Sequence, residues 1–262
     1  MSPRIVFFDI DGTIMDEFGF IPPSAVEAIH AAQARGVKCV VNTGRPYMHI
    51  EPAIIDIGFD GYICSCGQLL IMDGEQIFRA EVDGGVCAEI VRRAGENLLD
   101  AYYEAEESMR RMLHHEPDRG MKIYLDRMIE RGFNVSLDPE EPGYVFDKFC
   151  IWVREDSSFE PFAEYAENYY TLINRGGGMY ECILRGYSKA TGMERVREML
   201  GAEKTDCYAI GDSGNDLPML SAVSHSIAMG NAPENVKESV EFVTDTLHND
   251  GLARAMEHYG LV

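Results

Sequence analysis

Apolar residues fall along this chain in two textures. In the first third, short unbroken apolar runs alternate with a helical period. Residues 4–8, RIVFF, form a continuous run of the kind found in a strand buried on both faces. Pro22, Pro23 and Ser24 then precede AVEAIHAAQAR, whose apolar positions repeat at helical spacing. Ser24 and Glu27 have the spacing of a capping box, and Gly36 suits the helix stop. Residues 37–45, VKCVVNTGR, predict a second strand, and residues 61–67, GYICSCG, a third. Each ends in small polar residues.

The last third resumes the pattern. Residues 188–201 predict a helix closed by Gly201, and residues 206–216, DCYAIGDSGND, a strand running into an acidic loop. DLPMLSAV predicts a short helix. SIAMGNAPENVKESV predicts a strand, a turn and a helix with Pro233 in its first turn, and residues 241–245 a final short strand. Strands and helices in this order predict a parallel sheet with its loops at the carboxyl edge. The middle of the chain reads differently. Helical spacing covers residues 84–99, 118–131 and 157–168, and strand patterns cover 101–105, 147–153, 169–174 and 179–184. Gly176-Gly177-Gly178 fits a hairpin turn between the last two. The expected organisation is α/β: a Rossmann-like core from 1–78 and 185–262, with an α+β domain, 79–184, inserted into it.

Charge narrows the function. The 262 residues include 44 acidic and 23 basic ones, a formal net charge of −21. Such a field repels nucleic acid and anionic membranes, so neither is an expected partner. An anionic substrate then needs a local positive centre built from lysine, backbone N–H groups or a metal cation. There is no run of 18 apolar residues and no leader-like N-terminal pattern, so no membrane span and a cytoplasmic location are expected. Seven cysteines, an odd number set largely in apolar runs, fit buried thiols better than disulfides or a zinc site. His114 and His115 are adjacent and point apart, which fits solvated surface. Glu104, Glu106 and Glu107 read as a solvated acidic face, and Trp152 and Tyr165 as core of the inserted domain.

Residues 7–16, FFDIDGTIMD, set Asp9 and Asp11 where the first strand ends. Alone, the pair fits a polar turn before Gly12 equally well. Three further strand or helix ends supply partners: Thr43 and Gly44; Lys189; and Asp212, Asn215 and Asp216. Asp9, Asp11 and Asp212 offer oxygen ligands for Mg²⁺, which often shares its coordination sphere with a substrate phosphate. Lys189 adds positive charge. The Thr43 hydroxyl, the Gly44 N–H and the Asn215 amide suit phosphate oxygens. Asp9, nearest the rigid strand, is the expected nucleophile, and Asp11 the expected general acid and then base. Arg45 fits either a substrate contact or a surface salt bridge.

Together Asp9-Ile10-Asp11-Gly12-Thr13, Thr43-Gly44-Arg45, Gly186-Tyr187-Ser188-Lys189 and Gly211-Asp212-Ser213-Gly214-Asn215-Asp216 resemble the four motifs of the haloacid dehalogenase (HAD) superfamily. Their order and spacing resemble its Cof-type phosphatases, which carry a large α+β (type C2B) cap between the second and third motifs. Gly230-Asn231-Ala232 resembles a further family element. The resemblance implies Asp9 as nucleophile and Asp11 as acid/base. It implies Mg²⁺ on Asp9, the Asp11 main-chain carbonyl and Asp212. It also implies phosphate contacts from Thr43, Lys189 and Asn215, with Asp216 as a supporting acid. Where the family often has Asn-Gly after the third strand, this chain has Cys66-Gly67.

The expected activity is therefore Mg²⁺-dependent hydrolysis of small phosphorylated metabolites, sugar phosphates first, through an aspartyl-phosphate. A sugar phosphomutase and a weakly catalytic metabolite-binding regulator are the alternatives. A monomer or weak homo-oligomer is expected.

Overall fold

The first strand, β1 (Ile5–Phe8), has all four side chains buried. Val6 and Phe8 join one apolar cluster, Ile5 and Phe7 another. Neighbouring strand residues point to opposite faces, so β1 has a core on either side, and its sequence is continuously apolar for that reason. Each fully buried Phe or Ile there contributes about 1.5–3 kcal/mol relative to exposure. The computed structural model describes residues 3–106, 108–117, 119–130, 135–136 and 138–262.

After β1 come α1 (Pro23–Ala34), β2 (Lys38–Asn42), α2 (Pro52–Ile55), β3 (Gly61–Cys64), β4 (Leu69–Met72) and β5 (Glu75–Arg79). The middle of the chain forms α3 (Gly84–Glu96), β6 (Asp100–Glu104), β7 (Met109–Met112), α4 (Arg119–Glu130), β8 (Val135–Ser136), β9 (Lys148–Trp152), α5 (Phe159–Ala166), β10 (Tyr170–Gly176) and β11 (Met179–Leu184). The last segment forms α6 (Lys189–Leu200), β12 (Cys207–Gly211), α7 (Leu217–Leu220), β13 (His225–Ala228), α8 (Glu234–Lys237), β14 (Phe242–Val243) and α9 (Gly251–His258). The chain divides into two compact units, residues 1–79 with 187–262, and residues 80–186.

In the first unit the strands lie in the order β14-β13-β12-β1-β2-β3-β4-β5. From β14 to β3 all pairs are parallel. α1 and α9 cover one face through Ala28, Ile29, Leu252 and Met256. α6, α7 and α8 cover the other through Met193, Val196, Leu220 and Val236. Strands β4 and β5 differ from the sequence expectation. They extend the sheet antiparallel, as a hairpin beside β3. The signal was the dipeptide Asp73-Gly74, both residues at positive φ, which marks a tight hairpin turn. The Ser24–Glu27 capping box also does not form. The helix already begins at Pro23, and the Ser24 hydroxyl donates to Asp250 Oδ1 at 2.6 Å.

The second unit has a sheet in the order β10-β11-β9-β6-β7-β8, antiparallel except for β7–β8. α3 and α5 pack on one face around Tyr103, Phe149 and Phe162. Met121, Leu125 and Met128 of α4 meet Tyr102, Cys150 and Trp152 on the other, so Trp152 is core. Tyr165 packs beside the first of these clusters, under the Arg93 guanidinium. Glu104 departs from the solvated face expected of it: it is buried, with Lys148 Nζ 3.2 Å from its carboxylate. Glu107 and the ends of the expected 118–131 helix lie outside the described residues. His114 is exposed, while His115 bridges Asp100 and Asp156. All seven cysteines are buried free thiols. Among the described residues, no helix is long and apolar enough to cross a membrane.

The turn after β3 packs closely on the start of α6. Ser65, Cys66 and Gly67 turn with positive φ, and the Gly67 Cα lies against the first turn of α6. A Cβ on Gly67 would stand 2.5 Å from the Ser188 carbonyl oxygen, and one on Gly192 2.4 Å from Ile63. Gly67→Ala should therefore lower stability by roughly 1–3 kcal/mol, from left-handed strain and from this clash. A urea midpoint unchanged from that of the unaltered protein would contradict this packing.

Candidate active site

β1 lies between β12 and β2, with Phe8 opposite Ile210 on one side and Val41 on the other. The residues that follow these three emerge side by side at the carboxyl edge of the sheet. Asp9 still belongs to the ladder, since its N–H donates to the Ile210 carbonyl at 3.0 Å. Its side chain is buried against Lys189, the first residue of α6. Lys189 Nζ donates to Asp9 Oδ1 at 2.5 Å and to Asp216 Oδ1 at 2.6 Å, and all three residues are at most 3% exposed.

Local sequence explains how a lysine reaches this position. Ser188 and Thr191 form a reciprocal capping box that fixes the first turn of α6. The carbonyl of Lys189 accepts a bond from Asn42 Nδ2 at 3.1 Å. Asn42 was not among the expected site residues; the only sequence signal was a polar residue closing the apolar run KCVVN. Asp216 is fixed in turn. Its Oδ2 accepts the N–H groups of Asp212 and Ser213, both at 3.0 Å. It packs so closely on Gly211 that a Cβ there would lie 2.7 Å from its side chain.

Asp9, Asp212 and Asp216 each bring a carboxylate oxygen within 4.8 Å of the others. The Asp11 carboxylate is elsewhere. It is half-exposed and paired with Arg45, Nη2 to Oδ1 at 2.5 Å and Nε to Oδ2 at 3.0 Å. Arg45 also holds Glu51 at 2.6 Å. Asp216, expected only in support, thus stands in the acidic group, and the Asp11 side chain does not. Thr43 is buried; its hydroxyl accepts the Arg45 N–H at 3.2 Å, and its carbonyl the Cys66 N–H at 3.2 Å. Gly44, between them, is partly exposed. The partly buried Asn215 accepts the Ser213 hydroxyl at 2.5 Å.

Electrostatics follow from this geometry. Burial, and then the Asp216 charge, push the Asp9 carboxyl up to about 8 against the pull of Lys189. The same two causes push Asp212 up to about 7. Burial alone would lower the Lys189 ammonium, but Asp216 and Asp9 hold it above its usual range. One ammonium therefore faces three carboxyl groups, and with all three ionised the group is short of two positive charges. An all-oxygen donor set with that deficit fits a hard divalent cation.

The chain matches the family model described as haloacid dehalogenase-like hydrolase over residues 6–256. It belongs to that family: it is a hydrolase of the HAD superfamily, of the Cof type, with an α/β fold. The Bacillus subtilis (strain 168) protein named "Putative phosphatase YkrA" is 27% identical over 271 residues, covering 100% of both chains. The solved structure of a hypothetical protein from Geobacillus kaustophilus HTA426 is 27% identical, with a TM-score of 0.85 and 100% of both chains covered. The HAD subclass IIB sugar phosphatase BT4131 superposes with a TM-score of 0.82 at 23% identity, over 99% of this chain and 100% of that one, a likeness of fold.

The raised carboxylates generate a stability prediction for the metal-free protein. A carboxyl whose folded value exceeds its unfolded one adds stability in full below the unfolded value, about 4, and loses it as pH rises through the folded one. With Asp9 near 8 and Asp212 near 7, Tm in the presence of a chelator should fall from pH 5 to pH 8. Calorimetry showing Tm flat or rising across that window would contradict the assignment. In Asp9→Asn the slope should be shallower.

Proposed function

We propose that this protein is a Mg²⁺-dependent phosphatase of small phosphomonoesters, with sugar phosphates as the substrate class, acting through an aspartyl-phosphate on Asp9. The observation that most supports this reading is the buried Lys189 ammonium held between Asp9 and Asp216 at a sheet edge. A carboxylate so placed is rigid, shielded from bulk water and beside a fixed positive charge. Those are the requirements of a nucleophile attacking a phosphoryl group. The family assignment and the phosphatase name of the 27% identical relative agree with it.

Each residue then has a task. Lys189 draws in the phosphoryl oxygens, with the Thr43 hydroxyl, the Gly44 N–H and the Asn215 amide binding the remaining ones. An Asp9 oxygen attacks phosphorus in line, the bond to the ester oxygen breaks, and Asp11 gives that oxygen its proton. Asp11 then takes a proton from water, which attacks the acyl-phosphate and releases inorganic phosphate with Asp9 restored. The Asp11 carboxyl is paired with Arg45, so substrate binding has to release it from that pairing and it acts in its protonated form when it meets the leaving oxygen. Asp9 and Asp212, with the main-chain carbonyl of Asp11 that the family resemblance implies, would hold Mg²⁺. Both Asp216 oxygens are already occupied by Lys189 and two N–H groups, which leaves Asp216 the supporting role. When bound, Mg²⁺ supplies the missing positive charge and polarises the phosphoryl group. Residues 80–186 are assigned the role of the cap that selects the leaving group.

Two measurements test this. A panel of hexose and pentose phosphates, flavin mononucleotide, pyridoxal phosphate and nucleotides should show inorganic phosphate release with Mg²⁺ and none with chelator. Turnover strictly dependent on a bisphosphorylated activator, with no net release, would identify a mutase. Tight ligand binding without turnover on the whole panel would identify a regulator. Asp9→Asn, near-isosteric, should remain folded and lose about 10⁴-fold or more in kcat; substantial residual activity would refute Asp9 as nucleophile. Mg²⁺ should also raise Tm more at pH 8 than at pH 5, because protons compete for the same carboxylates.

A further inference from the structure

Asn231 has no task in the chemistry above, yet it joins two loops of the site to the segment before α9. Its Nδ2 donates to the Gly12 carbonyl at 2.9 Å and to Asp212 Oδ2 at 3.3 Å. Its Oδ1 accepts the Leu247 N–H at 3.1 Å. An exposed asparagine with three such bonds is more than a surface residue. It stands in the turn after β13, and a single amide group ties that turn to the loop after β1, to the acidic loop after β12 and to the segment before α9.

The segment that carries Leu247 is itself fastened to the N-terminal part of the chain. His248 Nε2 lies 3.3 Å from Asp16 Oδ2, and its ring stacks on Phe20 at 5.5 Å. Asp250 accepts the Ser24 hydroxyl at 2.6 Å. Asn231 is therefore held from behind by a braced segment while it holds the site in front. The second side of the grip is Gly12. Its φ is +75°, and a Cβ there would lie 2.0 Å from Asp212 Oδ2. Asp212 thus rests against a bare backbone on one side and receives an amide N–H as well. The chemistry also favours a neutral amide over its acid. An aspartate at 231 could donate to neither oxygen and would add a fourth carboxylate beside Asp9, Asp212 and Asp216.

We propose that Asn231 is a positioning residue for the cation: it holds Asp212 and the Asp11-Gly12 backbone in the one arrangement that binds Mg²⁺. This rests on the reading of Asp212 as a Mg²⁺ ligand. Outer partners that orient metal ligands in this way are worth about 10–100-fold in metal affinity when removed. The amide makes no step of the reaction, so its loss is felt through the metal and not through binding of the ester.

The test is calorimetric titration of the metal-free full-length protein with MgCl₂ alone, for the unaltered chain, Asn231→Ala and Asn231→Ser. Either variant that shows a cooperative melt without metal carries the test. The expected result is Mg²⁺ affinity weaker by about 10–100-fold, with a hydrolysis defect at low Mg²⁺ that recovers at saturating Mg²⁺ and a KM for the ester that stays the same. A merely structural residue would lower Tm without metal and leave Mg²⁺ affinity unmoved, and that result overturns the proposal. It is overturned equally if neither variant folds, since the residue then serves the fold. Absence of Mg²⁺ binding by the unaltered protein overturns the reading of the site and the proposal together, whereas equal binding by the unaltered protein and a folded variant overturns the proposal alone.

Discussion

The structure depends on one buried ammonium. Lys189 is almost wholly removed from water, which is costly for a charge unless its partners are close and correctly placed. Asp9 and Asp216 meet that condition, and they come from segments separated by 180 and 27 residues from the lysine. Removing a partner from such a group typically costs about 3–5 kcal/mol, far more than a surface pair contributes. Much of the surrounding packing serves this placement. The capping box at Ser188 starts the helix, Asn42 holds the Lys189 carbonyl, and Gly67 and Gly192 let the turn after β3 approach α6 closely.

The charge balance connects that interaction to function. A chain with a formal charge of −21 has little general attraction for phosphate esters. The site sets three clustered carboxyl groups around Lys189, so when they are ionised the local field is also negative. Raised Asp9 and Asp212 carboxyls express the same fact in protons: what the site lacks is positive charge, and protons or a metal can supply it.

The turn at Ser65-Cys66-Gly67 supports Thr43 through its backbone. Cys66 stands where the family often has an asparagine, but its contribution to Thr43 is a backbone one, the N–H donated to the Thr43 carbonyl. Any residue able to adopt that left-handed φ could donate it. This bond to Thr43 makes no demand on the side chain at position 66.

Much of this protein was legible in its sequence, because the signals were local. Continuous apolar runs gave the parallel strands, helical spacing and Ser188–Gly201 gave α6, and the change of texture in the middle marked the second unit. The acids, the lysine and the threonine sat at strand and helix ends, so they could be singled out as candidates before any contact was known. Elsewhere local spacing misled or fell silent. The Ser24–Glu27 spacing suggested a cap, but Pro23 already opens the helix and Asp250, far along the chain, takes the serine hydroxyl. Glu104 looked like solvated surface until a neighbouring strand placed Lys148 against it. The same limit applies at the site. Asp11 and Asp216 carry identical side chains at loop positions that spacing cannot tell apart. Only the fold decides that one carboxylate turns out to Arg45 and the other turns in to Lys189, because that choice depends on which distant cation each loop meets.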